Sequence, residues 1–216
     1  MKLAVFDCDG TLVDGQAAVC EAMEAGFREA GLPQPERNQV RRIVGLSLPQ
    51  AVRTLAPDAD PMRQAAAVDA YKAAFRASRE SGRLEEPLFE GLRELLGELH
   101  REGWRLAVAT GKSGRGLDAC LAGHGIADLF CSLQTADRHP SKPDPSMLEA
   151  AMLEVGAEAN ETVMIGDTSF DMAMARAAGV RAIGVHWGYH TAEELRTAGA
   201  IAVAETVAEL KEMIDG

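Results

Sequence analysis

Two carboxylates two residues apart, Asp7 and Asp9, follow the apolar run Lys2–Phe6 and precede Gly10-Thr11. The glycine lets the chain turn at once, so the pair reads as a loop at the tip of a buried strand. Continued strand geometry sends both side chains to one side. Such a pair can divide the work on a phosphate ester. Asp7 attacks phosphorus to form an aspartyl-phosphate, and Asp9 protonates the departing alkoxide. An anion must then approach an anion, so the chemistry calls for positive charge nearby. Lys142 lies in Ser141-Lys142-Pro143-Asp144-Pro145, a loop stiffened by two prolines. Asp167, in Ile165-Gly166-Asp167-Thr168, follows another apolar run. With Asp7 it offers hard oxygen ligands for Mg²⁺. Asp171, four positions on, suits either orienting a metal-bound water or capping a helix. Thr110 follows the apolar stretch Arg105–Ala109, where its hydroxyl and adjacent backbone donors can meet a phosphate oxygen. Gly111 leaves those donors uncovered, and Lys112 adds a secondary charge. Each residue alone has an ordinary reading as a turn, cap or surface charge. Together they place the same kind of group at four strand tips.

The elements that must position these loops are legible as periodicity. Helical spacing marks Gln16–Arg28, Glu36–Val44, Leu48–Leu55 and Met62–Arg79, nearly 70 residues without a convincing strand. After Gly82 strands and helices alternate. Helices are expected at Leu92–Arg101, Gly116–Gly123, Pro145–Val155, Phe170–Ala178, Thr191–Thr197 and Val207–Ile214. Strands are expected at Trp104–Ala109, Leu129–Ser132, Thr162–Ile165, Val180–Val185 and Ala200–Val203. That alternation predicts an α/β fold, a mostly parallel sheet flanked by helices. The expected organisation is a catalytic core of residues 1–14 and 84–216, interrupted by an all-helical cap at 15–83, with hinges at Asp14-Gly15 and Glu80–Glu86.

Composition excludes several classes. The 216 residues carry 22 Lys plus Arg against 33 Asp plus Glu, a net charge of −11, which argues against nucleic-acid coating and against anionic membranes as partners. Cys8, Cys20, Cys120 and Cys131 contain no CxxC pair and read as reduced, consistent with a cytoplasmic setting. No apolar run reaches the roughly 18 residues of a membrane span, and Met1–Phe6 is too short for a signal-peptide core. The expected partner is a small phosphorylated metabolite, with the chain acting as a monomer or homodimer.

The sequence resembles the haloacid-dehalogenase-like (HAD) superfamily, especially helical-capped phosphatases similar to phosphoglycolate phosphatase. The DxDGT signature appears as Asp7-Cys8-Asp9-Gly10-Thr11, and later motifs correspond to Thr110, Lys142-Pro143, and Gly166-Asp167-Thr168 with Asp171. The resemblance implies a Rossmann-like core and an Asp7 nucleophile, with Asp9 as general acid and then base. It implies phosphate binding by Thr110 and Lys142, and Mg²⁺ held by Asp7, the backbone carbonyl of Asp9, and Asp167, with Asp171 assisting. Related enzymes often place a basic residue near the turn that holds Arg41, Arg42, Gly45 and Leu46, which makes Arg42 the candidate for a substrate carboxylate. The implied activity is Mg²⁺-dependent phosphomonoester hydrolysis, with phosphoglycolate as the leading substrate. A β-phosphoglucomutase-like reaction and a nonenzymatic binding role are the alternatives. The sequence departs from the pattern at Asp14-Gly15-Gln16 and at Gly111, where relatives often have Asn.

Other signals carry less. Thr110-Gly111-Lys112-Ser113 lacks the glycine of a phosphate-binding P-loop, because position 106 is Leu. Cys120 and His124 form half a zinc site at most. His186, Trp187 and His190 read as shaping a strand end, and Met172 and Met174 as sheet packing. Lys72 sits in no motif that would support Schiff-base chemistry.

Overall fold

The computed structural model describes residues 1–216 and contains a single six-stranded sheet, all of whose pairings are parallel. Its strands are β1 (Leu3–Phe6), β2 (Arg105–Thr110), β3 (Phe130–Thr135), β4 (Thr162–Gly166), β5 (Arg181–Val185) and β6 (Ala202–Ala204), in the order β3-β2-β1-β4-β5-β6. β1 is central and buried on both faces, which is why it reads as an unbroken apolar run rather than an alternating one. Ala4 and Phe6 enter one core, with Leu92, Leu96 and Leu99 of α5 (Leu92–Arg101) and Leu210 and Ile214 of α10 (Val207–Asp215). Leu3 and Val5 enter the other, against α7 (Ser146–Val155) and α8 (Ser169–Ala177), where Met172 and Met174 are fully buried.

Two further helices pack on this sheet, α6 (Gly114–Gly123) and α9 (Ala192–Ala198). Strand order reverses between β1 and β4, so the loops after these strands flank a crevice at the carboxyl edge, the usual ligand position in open α/β sheets.

Between β1 and α5 the chain forms α1 (Gln16–Glu29), α2 (Arg37–Ile43), α3 (Leu48–Leu55) and α4 (Pro61–Glu80). These helices bury their own apolar cluster, which includes Met23, Phe27, Val40 and Val52. α4 begins one residue earlier than its periodicity suggests. Asp60 caps it by accepting from the Arg63 N–H at 3.0 Å, and Pro61 takes the first helical position, where a missing N–H costs nothing. The chain leaves and re-enters the sheet side by side: Asp14 N–H donates to Pro87 O at 2.8 Å, and Phe89 N–H to Leu12 O at 3.1 Å.

β3 runs three residues past its expected end at Ser132. The extension contains buried Gln134, whose side-chain amide donates to Ser132 Oγ and Glu154 Oε2, both at 2.8 Å. A polar residue satisfied from a neighbouring helix hides a strand from a reading based on apolar runs. No helix is long and apolar enough to cross a membrane, and all four cysteines are unpaired.

Candidate active site

Four loops meet at the carboxyl edge of the sheet. Asp7 follows β1 and is buried, its Oδ1 accepting from the Cys8 N–H at 2.7 Å and lying 3.0 Å from Lys142 Nζ. Its Oδ2 is buried without a hydrogen-bond partner. Lys142, from the loop between β3 and α7, is also buried and donates to Asp171 Oδ1 at 2.6 Å. The other Asp171 oxygen accepts from the Thr168 N–H at 3.0 Å and hydroxyl at 2.6 Å, closing a capping box at the start of α8. Asp171 therefore caps its helix and faces the site at once. Asp167, beyond β4, accepts from the Thr11 hydroxyl at 2.8 Å and the Tyr189 N–H at 2.9 Å. Gly10 has φ +88°, and a side chain there would run into Asp167 and the Tyr189 ring.

Carboxylate oxygens of Asp7, Asp167 and Asp171 lie within 4.8 Å of one another. Burial pushes the Asp7 carboxyl up to about 7, with Lys142 opposing and Asp171 and Asp9 reinforcing the shift. Burial, then Asp7 and Asp171, likewise hold Asp167 well above the ordinary carboxylate range. Burial works against the Lys142 ammonium, but Asp171 and Asp7 more than offset it and raise its pKa. Three buried carboxylates beside this one ammonium, with one oxygen uncommitted, are a donor set that a hard divalent cation fits.

Asp9 is set apart from that cluster. Its Oδ1 accepts from Lys112 Nζ at 2.8 Å, and the same ammonium donates to Glu86 Oε1 at 2.7 Å. Lys112 Nζ also lies 5.2 Å from the Phe75 ring centroid. Thr110 ends β2, buried, with its hydroxyl accepting from the Lys112 N–H at 3.2 Å. Asp7, Asp9, Thr110, Gly111 and Lys112 line a cavity of about 470 Å³ between the sheet edge and the helical segment. Gly111 is a point of close approach: a Cβ there would stand 2.5 Å from the Leu46 carbonyl oxygen and 2.8 Å from that of Gly45.

Arg42 is not brought to the cavity. It is mostly exposed and pairs with Glu194 of α9, while its carbonyl oxygen lies 3.3 Å from His190 Nε2. It joins the α2–α3 turn to the sheet domain, as does the Ser47 N–H, which donates to Ser141 Oγ at 2.8 Å. Cys120 is in the core, and His124 Nε2 lies 2.7 Å from the Glu86 carbonyl oxygen, so the pair assembles no metal site. Trp187 Nε1–H donates to Thr11 O at 3.2 Å, and His190 Nδ1 accepts from the Ser169 N–H at 3.0 Å.

Glu86, expected only as part of a hinge, and Tyr71, Phe75 and the Thr11 hydroxyl are site residues that the sequence did not single out for chemistry. Glu86 sits in an acidic run beside Glu85, and Tyr71 and Phe75 look like ordinary core positions at helical spacing. Only Thr11, next to the acid pair, carried a local signal.

The family described as haloacid dehalogenase-like hydrolase matches residues 4–185. The chain is similar to a protein of Dickeya dadantii named probable phosphatase IndB, 38% identical, with 96% of this chain and 91% of that protein covered. It is similar to a phosphoglycolate phosphatase of Rhodospirillum rubrum, 32% identical over 97% of this chain and 89% of that one. A crystal structure described as a predicted phosphatase from Clostridium acetobutylicum superposes with a TM-score of 0.88 at 26% identity, covering 99% of this chain and 97% of that chain.

Proposed function

The chain belongs to the haloacid dehalogenase-like hydrolase family, and from that premise we propose that it is a phosphatase releasing inorganic phosphate from a small-molecule phosphomonoester through an aspartyl-phosphate on Asp7. The observation that carries this reading is the Asp7 carboxylate itself. One oxygen is fixed by Cys8 N–H and the buried Lys142 ammonium, and the other is uncommitted beneath a cavity that Asp9 also lines.

In the first step Asp7 attacks phosphorus in line with the ester oxygen. The P–O bond to the alcohol breaks, and the Asp9 carboxyl transfers its proton to the leaving oxygen. In the second, the Asp9 carboxylate takes a proton from water as that water attacks phosphorus. The bond to Asp7 breaks, and phosphate leaves with Asp7 restored. Lys142 and the backbone donors around Thr110 balance charge on the phosphoryl oxygens. Lys112 orients Asp9 through its hydrogen bond to Oδ1. Asp7, Asp167 and Asp171, with the carbonyl of Asp9, would hold Mg²⁺, which when bound supplies charge neutralisation beside the phosphoryl group. Residues 15–83 act as a cap that excludes bulk water, and residues 1–14 and 84–216 as the catalytic core.

Relatives named phosphoglycolate phosphatase make phosphoglycolate the first compound to assay. The test is phosphate release across a panel of phosphomonoesters with Mg²⁺ or with EDTA. Stoichiometric phosphate that depends on Mg²⁺ and disappears in Asp7→Asn supports hydrolysis. A rearranged sugar phosphate without phosphate release would instead mark a mutase.

A further inference from the structure

We propose, resting on the phosphatase reading, that the leaving group of this chain's substrate is a bulky, largely apolar alcohol seated against the Tyr71 and Phe75 wall of the helical segment, rather than a two-carbon hydroxyacid. The cavity is bipartite. Its floor is polar and comes from the sheet loops, Asp7, Asp9 and Thr110–Lys112. Its roof comes from the helices and is mainly apolar, led by Met23, Leu46, Leu48, Tyr71 and Phe75, with Lys72, Arg76 and Arg79 also in the lining. The phosphoryl group must sit on the floor beside Asp7 and Lys142, so whatever is esterified to it faces the roof.

Size points the same way. About 470 Å³ is room for roughly fifteen waters and lies within the range that takes drug-sized ligands. A phosphorylated two-carbon acid would leave most of the apolar roof against water. Tyr71 and Phe75, one turn apart on α4, stack at 5.8 Å between centroids with 20° between planes, and both keep part of their surface exposed, although Lys112 and Arg79 lie 5.2 Å and 5.6 Å from the Phe75 ring centroid. Aromatic surface left uncovered over a reactive floor is surface that a ligand can bury.

Most of the cations around the cavity are exposed or already engaged. Among the cations lining the cavity, Lys72, Arg76 and Arg115 are exposed and screened by water. Lys112 is engaged by Asp9 and Glu86, whereas Arg79, 3.8 Å from Glu86, keeps a buried Nη2 without a hydrogen-bond partner and is the one polar point the roof leaves open. Arg42 lies outside the cavity, on Glu194. The reaction is unchanged: the same P–O bond breaks, and only the alcohol differs.

The experiment compares kcat/KM for phosphoglycolate, ethyl phosphate, benzyl phosphate and 2-phenylethyl phosphate with Mg²⁺, the last three being esters of alcohols of similar acidity. 2-Phenylethyl phosphate is expected to exceed ethyl phosphate and phosphoglycolate by at least about tenfold, the gain from burying an aryl group. That ratio should collapse in Phe75→Ala and, as a second variant, in Leu48→Ser, whatever the absolute rates. In parallel, calorimetry on Asp7→Asn should find 2-phenylethyl phosphate binding at least about tenfold tighter than ethyl phosphate. Equal efficiencies, a preference for phosphoglycolate, or equal binding would overturn the proposal and leave the phosphatase reading standing. No phosphate release from any compound would overturn the phosphatase reading instead, and the binding comparison would still decide what the roof accepts.

Discussion

Asp7 and Asp9 lie two residues apart yet occupy different electrostatic surroundings, and that separation gives them different work. Asp7 is buried between Lys142 and two other carboxylates, whereas Asp9 is partly open and tied to Lys112. Asp7→Asn removes the nucleophile while preserving size, so turnover should fall at least about a thousandfold while ligand binding survives; single-turnover phosphate release and calorimetry measure the two. Asp9→Asn removes a proton donor, an effect of about 10²–10⁴ in rate when the leaving group needs protonation. The loss should therefore be much larger for an alkyl phosphate than for an acyl phosphate, whose leaving group departs without help. Equal losses in rapid-quench phosphorylation of Asp7 would remove Asp9 from the acid role.

At the scale of elements, the helical segment and the sheet meet through backbone as well as side chains. A side chain at position 111 would press on the carbonyls of Gly45 and Leu46, which belong to the α2–α3 turn and cannot yield as a flexible side chain does. Gly111→Asn should hold that turn away from the floor, raising KM about tenfold or more while the thermal midpoint moves little, since each unit keeps its own core. Wild-type KM in that variant would mean that the turn does not sit over bound substrate. This contact also marks the limit of what sequence could reveal. The strand tips carrying Asp7, Thr110, Lys142 and Asp167 were legible because short apolar runs ending in polar loops are a local pattern. Glu86 was not, because its partner Lys112 is 26 residues away and nothing nearby distinguishes it from Glu85. Arg42 failed for a related reason. Proximity to the turn was visible, but Glu194, 152 residues on, takes the guanidinium.

For the molecule as a whole, the buried acidic cluster ties stability to pH and to metal. The folded-state pKa of Asp7 is about 7, and that of Asp167 is also well above its ordinary value, whereas an unfolded Asp titrates near 3.9. Between those values the folded state binds more protons than the unfolded one, so the contribution is fully present below about 4 and is lost as pH rises through about 7. EDTA-treated protein should therefore show a thermal midpoint that falls between about pH 5 and 7.5. Stabilisation by saturating Mg²⁺ should grow over the same interval, because the cation replaces the protons. The net charge of −11 gives a trend of the same sign, since self-repulsion increases as surface acids ionise. Salt separates the two causes. Exposed charges are screened over about 10 Å at 0.1 M salt, whereas a cluster with Asp7 and Asp167 almost inaccessible to solvent is screened far less. A pH slope that persists in high salt, flattens with Mg²⁺ and is reduced in Asp7→Asn assigns the effect to the site. A slope that salt abolishes, with no pH-dependent gain from Mg²⁺, would mean that the three carboxylates are not the cation's ligands.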